Sequence, residues 1–172
     1  AQPLTIQLDD LGNSSITAVQ IDNGSNDACG IASLALSQST FDCSNLGPNN
    51  VILTLTDLYG NTASCTAVFT LIDTIDPNVT CPLNQTVIIQ LWSQYTKPDY
   101  FANGIASAID NCTSTITLIT QNPTSGTLVN TGNYTLSITA EDDSGNTDSC
   151  NFQLTVDSTL GTSEVTTSVK FS

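Results

Sequence analysis

The chain has no histidine, and over its 172 residues only two basic side chains, Lys97 and Lys170, stand against sixteen acidic ones, a formal net charge of -14. Without an imidazole there is no base for a Ser-His-Asp triad, and neither a G-x-S-x-G elbow nor a phosphate-cradling glycine loop is present. Two cations cannot form the basic patch that neutralises phosphates, which excludes nucleic acid as a partner and leaves anionic lipid surfaces repelled. None of the six cysteines forms a C-x-x-C, so zinc-finger and thioredoxin readings lose their ligands or their motif. No apolar run approaches the roughly 20 residues that cross a bilayer as a helix, so no membrane insertion is expected. The neighbouring acids Asp9–Asp10 and Asp142–Asp143 point apart in a strand or turn and do not make a facing glycosidase pair. An enzyme is not expected.

What is there points outside the cell. Cys29, Cys43, Cys65, Cys81, Cys112 and Cys150 read as disulfide staples for small domains that bury little apolar surface, and lasting disulfides require an oxidising compartment. The chain opens at Ala1 without a charged leader or apolar h-region, as expected of a mature or trimmed segment. The surplus of acid favours solubility and offers oxygen ligands to hard cations such as calcium.

Helical periodicity is weak, whereas period-two alternation bounded by Gly, Asn, Asp and Pro recurs at short intervals. Val51, Leu53 and Leu55 share one parity, the turn Leu58-Tyr59-Gly60-Asn61 follows, and Cys65, Ala67, Phe69 and Leu71 share the next. This is a hairpin with one buried face. It returns as Tyr134 to Asp142, the turn Asp143-Ser144-Gly145-Asn146, and Thr147 to Val156, with Cys150, Phe152, Leu154 and Val156 in phase. Upstream, Asp27-Ala28-Cys29 matches Asp110-Asn111-Cys112. The repeat predicts an all-β chain of two tandem immunoglobulin-like β-sandwich domains, 1–72 and 73–158, followed by a flexible linker over 159–172. Asp73-Thr-Ile-Asp-Pro77 marks the boundary, where proline ends a strand and stiffens the link.

Asp73-Thr-Ile-Asp-Pro-Asn-Val-Thr-Cys81-Pro82, Asp110-Asn111-Cys112 and Asp142-Asp-Ser-Gly-Asn-Thr-Asp-Ser-Cys150-Asn-Phe152 resemble the framework of the hyalin-repeat (HYR) domain, an extracellular immunoglobulin-like family. The first repeat, with Ile21-Asp-Asn-Gly-Ser25 and Phe41-Asp-Cys43, resembles a sister repeat of giant Bacteroidetes surface proteins. The ending Val156-Asp-Ser-Thr-Leu-Gly161 resembles the lead-in to a type IX secretion sorting domain. The resemblance implies a disulfide between Cys81 and Cys150, and one between Cys29 and Cys43. An alternative uses only the repeated positions and joins Cys29 to Cys65 and Cys112 to Cys150. The resemblance also implies a stalk, adhesin or accessory role without a catalytic site, and Thr74 and Ser158 loosely resemble Bacteroidetes O-glycosylation positions.

Two candidate sites stand out. Asp73, Asp76, Asp110, Asn111, Asp142 and Asp143 could meet at one end of a sandwich as an oxygen-rich calcium site; equally, Asp and Asn favour turns on their own account. Trp92, Tyr95 and Tyr100, with Gln94 and Asp99 nearby, could stack on a glycan, or plug the end of the core. The function expected is that of structural spacer and adhesion repeats in a large extracellular surface protein, in contact with neighbouring domains of its own polypeptide. A glycan-binding accessory module of a secreted enzyme and a subunit of an extracellular filament, touching like subunits, are the alternatives.

Overall fold

A computed structural model describes residues 4–113, 115–116 and 118–159 of the chain. Fourteen strands run through these residues. They are β1 (Leu4–Gln7), β2 (Asn13–Ser15), β3 (Ile31–Leu36), β4 (Thr40–Asp42), β5 (Gly47–Asp57), β6 (Thr62–Ile72) and β7 (Asn78–Thr80), then β8 (Gln85–Gln90), β9 (Tyr95–Thr96), β10 (Ser107–Ile109), β11 (Leu118–Asn122), β12 (Leu128–Val129), β13 (Gly132–Glu141) and β14 (Thr147–Thr159). One turn of α-helix (Ala18–Ile21) is capped reciprocally by Thr17 and Gln20, and a 3-10 turn (Cys43–Asn45) follows β4.

The protein is all-β and forms two sandwich-like units on one plan. A four-stranded sheet ordered β1-β6-β5-β3 is accompanied by a β2-β4 ribbon; a second ordered β11-β13-β14-β8 is accompanied by a β9-β12 ribbon, and β7 pairs with β10. Each large sheet contains the long hairpin read from the sequence, and in each the last long strand is joined in parallel by the first: β1 to β6 and β8 to β14. By contacts, the first unit runs to Pro77 and includes Ile109–Ile116 and Glu141–Thr147, while Asn78–Ala108, Thr117–Ala140 and the chain from Asp148 form the second. The expected C-terminal linker lies outside the described residues from residue 160 onward; Thr159 ends β14.

Alternation decides what is buried. Leu53 faces Cys65 and Val51 faces Ala67 across β5-β6, which sends Val51, Leu53, Ala67, Phe69 and Leu71 into one core with Leu8, Ile16, Ile21 and Phe41. Phe41 and Phe69 meet edge to face at 4.8 Å. In the second unit Leu136, Ile138 and Ala140 of β13 and Phe152, Leu154 and Val156 of β14 are buried, and Tyr100 meets Phe152 edge to face at 4.8 Å. At about 2 kcal/mol for each large apolar side chain buried, these facing rows are the main favourable term in each unit.

Cys43 is bonded to Cys112 and Cys81 to Cys150, each bond spanning 69 residues of sequence. The pairing of Cys29 with Cys43 is therefore corrected, and so is the alternative: Cys29 and Cys65 are exposed free thiols. Cys29 sits in a tight turn closed by the Gly30 amide on the Asp27 carbonyl, just before β3 begins at Ile31. Cys65 lies in mid-β6 opposite Leu53.

Candidate metal centre

Three short segments of the first unit supply the site: the residues after β6, the loop after β10 and the turn between β13 and β14. The turn explains the position of Asp142. Its Oδ1 accepts the amides of Ser144 and Asn146, both at 2.8 Å, and its Oδ2 accepts Asn146 Nδ2 at 2.8 Å. Asp57 does the same with Tyr59 and Asn61 in the β5-β6 turn, and Asn61 holds its carboxyl below the ordinary carboxylate range. Gly60 and Gly145 stand at φ 87° and 90°, where a Cβ would strain the turn. A third copy of this D-x-x-G-N unit, Asp9 to Asn13, is stapled by the Leu11 and Asn13 amides on Asp9 Oδ1. The sequence reading missed it, although the spacing was visible.

Asp73 and Asp110 are each half satisfied. Asp73 Oδ1 accepts the Ile75 amide at 3.1 Å and Asn111 Nδ2 at 3.4 Å, while Asp73 Oδ2 is buried without a partner. Asp110 Oδ2 accepts the amides of Cys112 at 2.8 Å and Thr113 at 2.7 Å, while Asp110 Oδ1 is buried without a partner. Asn111 Oδ1 is buried and unpartnered as well. Carboxylate oxygens of Asp73, Asp110 and Asp142 all lie within 4.8 Å of one another, and Asp73 and Asp142 are each only 6% exposed.

Turn geometry accounts for the partnered oxygens and leaves the others unexplained. Like charges at this distance repel by about 3 kcal/mol per pair at an effective dielectric of about 20. A buried polar atom without a hydrogen bond costs roughly a further 1–3 kcal/mol. Lys97, the only basic side chain among the described residues, belongs to the second unit and has no partner for its own Nζ. The cluster has the composition of a hard-cation site: oxygen donors, net negative charge and little solvent.

The loop bearing Asp110 and Asn111 is positioned from below. Cys112 is bonded to Cys43, Asn111 Nδ2 donates to the Asp9 carbonyl at 3.1 Å, and Asn146 Nδ2 reaches the Asp73 carbonyl at 3.4 Å. Gly12, at φ 72°, lets this layer pack closely: a Cβ there would lie 2.5 Å from Cys43 Sγ and 2.9 Å from the Asn111 carbonyl oxygen. Of the six expected ligands, Asp73, Asp110 and Asp142 come together with Asn111 beside them. Asp76 and Asp143 are exposed and outside the cluster.

The aromatic candidates separate. Tyr100 is a core residue, 2% exposed, and burial followed by the neighbouring Tyr95 hydroxyl pushes its phenol up to about 12, so it cannot stack on a ligand. Tyr95 is half-buried and Trp92 stands in solvent. Asp99 caps the turn at Phe101 and Ala102. Thr74 and Ser158 are exposed. Among the described residues no helix is long and apolar enough to cross a membrane.

In comparison with known proteins, the model of the HYR domain, a non-catalytic module, matches residues 72–156. Together with the two disulfides it suggests an extracellular protein. No curated protein matches the chain. Among solved structures, the chain is similar to the fibronectin(III)-like modules of Clostridium thermocellum CbhA at 13% identity, covering 91% of this chain and 90% of that one, with a TM-score of 0.37. It is similar to extracellular cadherin domains 1-4 of protocadherin gamma B7 at 13% identity, covering 91% and 49%, with a TM-score of 0.38. It is also similar to EC1-2 of human mucin-like protocadherin at 10% identity, covering 91% and 97%, with a TM-score of 0.33.

Proposed function

We propose that this chain is a spacer and adhesion segment of a larger extracellular protein, built from repeats over 1–72 and 73–158, in which bound calcium stiffens the first unit. The observation that carries this reading is the Asp73–Asp110–Asp142 cluster, with two carboxylate oxygens and the Asn111 Oδ1 buried and unpartnered. Calcium fits the donor set better than magnesium. Magnesium keeps most of its waters and is usually held by one or two carboxylates, whereas three carboxylates and an amide oxygen supply about half to two-thirds of a calcium shell. Asp73, Asp110, Asn111 and Asp142 would hold the ion, which would cancel their mutual repulsion and tie three separate segments into one. The HYR match and the resemblance of the chain ends to Bacteroidetes surface proteins favour a secreted, surface-attached parent, with neighbouring domains of the same polypeptide as its first partners.

Thermal unfolding with excess calcium and with chelator tests the reading. A ligand at about 100 times its Kd stabilises by about 2.7 kcal/mol, and each kcal/mol moves the midpoint of a unit of this size by roughly 4–8 °C. A rise of about 10–20 °C is expected in calcium. Identical midpoints would overturn the cation reading.

A further inference from the structure

Trp92, the single tryptophan of the chain, is 94% exposed and takes φ 68°, the one positive φ outside glycine among the described residues. The Ser93 amide donates to the Gln90 carbonyl at 3.0 Å and closes a turn with Trp92 in its third position. A turn of this kind asks for glycine or asparagine there, and a bulky residue at positive φ is an outlier. Packing does not account for it, because the indole is not buried. Strained residues cluster at ligand-binding and active sites, and this one displays an aromatic face to solvent.

The surroundings specify the ligand. Leu91, Trp92, Ser93, Asn130, Thr131 and Ser158, all of the second unit, line an open groove of ≈ 380 Å³. No charged side chain lines it. Asn130 is held from two sides, its Oδ1 accepting Gln94 Nε2 at 3.2 Å and its carbonyl accepting the Tyr134 hydroxyl at 3.0 Å, and its Nδ2 is not used in either bond. An indole face beside three hydroxyls and an amide matches a pyranose, whose C–H face stacks on the ring while its rim exchanges hydrogen bonds. A chain of net charge -14 disfavours anionic ligands.

We infer that this groove is a binding site for a neutral oligosaccharide, with Trp92 as the stacking platform and Ser93, Asn130, Thr131 and Ser158 as the hydrogen-bonding rim. The site does not rest on the cation reading. Because Trp92 is the only indole, its fluorescence reports occupancy directly.

The test titrates the whole chain, in calcium and in chelator, with neutral gluco-, xylo-, manno-, galacto- and chito-oligosaccharides and with an acidic galacturono-oligosaccharide up to about 10 mM, a range that captures Kd values near 1 mM. At least one should shift the Trp92 emission and saturate. Trp92→Gly, measured by calorimetry, should lose roughly tenfold or more in affinity while its melting midpoint stays equal or rises, since glycine suits the turn. Asn130→Ala should weaken binding without abolishing it. The proposal is overturned if no neutral sugar shifts the emission, if only an acidic oligosaccharide does, or if Trp92→Gly binds as the wild type does. Sugar binding in chelator would stand even if calcium had no effect on unfolding.

Discussion

Replacing Asp73 with asparagine should move stability in opposite directions with and without calcium. Asp73 takes part in two carboxylate pairs whose oxygens lie within 4.8 Å, a repulsion of about 7 kcal/mol for two pairs at that distance and an effective dielectric of about 20. Solvent and small adjustments remove about half of that, and weaker hydrogen bonds from Ile75 and Asn111 return about 1 kcal/mol each. A net gain of roughly 1–2 kcal/mol remains for Asp73→Asn in chelator, or about 5–15 °C in midpoint. The asparagine amide can also donate to the two carboxylates that stay. In saturating calcium the wild type gains its ligand-linked stability and the variant loses most of it, so the order of the two melts reverses. Differential scanning calorimetry of both proteins in both buffers reads all four midpoints. An Asp73→Asn variant less stable than the wild type in chelator would refute the reasoning, since it would show that this carboxylate is already satisfied by the fold.

Other consequences concern the staples and the buried lysine. Replacing Cys43 and Cys112 together by alanine should cost about 4 kcal/mol, the chain-entropy value for a 69-residue loop, and should weaken calcium binding because the Asp110–Asn111 loop loses its tether; calorimetry of the double variant checks both. Thiol titration of the native, non-reduced protein should find two reactive cysteines, Cys29 and Cys65; zero or four would contradict the connectivity. Lys97 is 1% exposed with Nζ unpartnered, and burial lowers its pKa below 10.5. Lys97→Met should therefore stabilise by about 1–3 kcal/mol at neutral pH. The unfolded chain binds more protons at this position, so the penalty falls as pH rises through the folded pKa toward 10.5; denaturant melts across alkaline pH should show the advantage of the variant shrinking.

Much of this was readable from residue types. Strict alternation fixed the faces of both hairpins, because a strand's side chains change side at every residue, and Asp-Gly-Asn punctuation located both turns. The same punctuation placed Asp142 in its turn. What alternation cannot convey is which loops meet. Asp73, Asp110 and Asp142 are far apart in sequence and come together through strand order, whereas Asp76 and Asp143, adjacent to true members by number, point to solvent. Cysteine pairing is equally non-local. Cys81 and Cys150 each stand four residues ahead of the parallel pair Gln85 and Leu154, a register that strand order sets and sequence spacing does not show. Cys43 instead joins Cys112, a contact that no within-repeat spacing encodes. Trp92 was selected as an aromatic, but its exposure depends on a single positive φ that neighbouring residues do not announce.

Equilibrium dialysis of the chelator-stripped protein against about 10 mM calcium, roughly ten times or more the 0.1–1 mM Kd range of extracellular calcium modules, counts the ions directly. One calcium per chain is expected for the wild type and none for the Asp73→Asn, Asp110→Asn double variant, with the fold of both retained. No calcium on the wild type, or an equal amount on the double variant, would contradict a cation site at Asp73, Asp110 and Asp142.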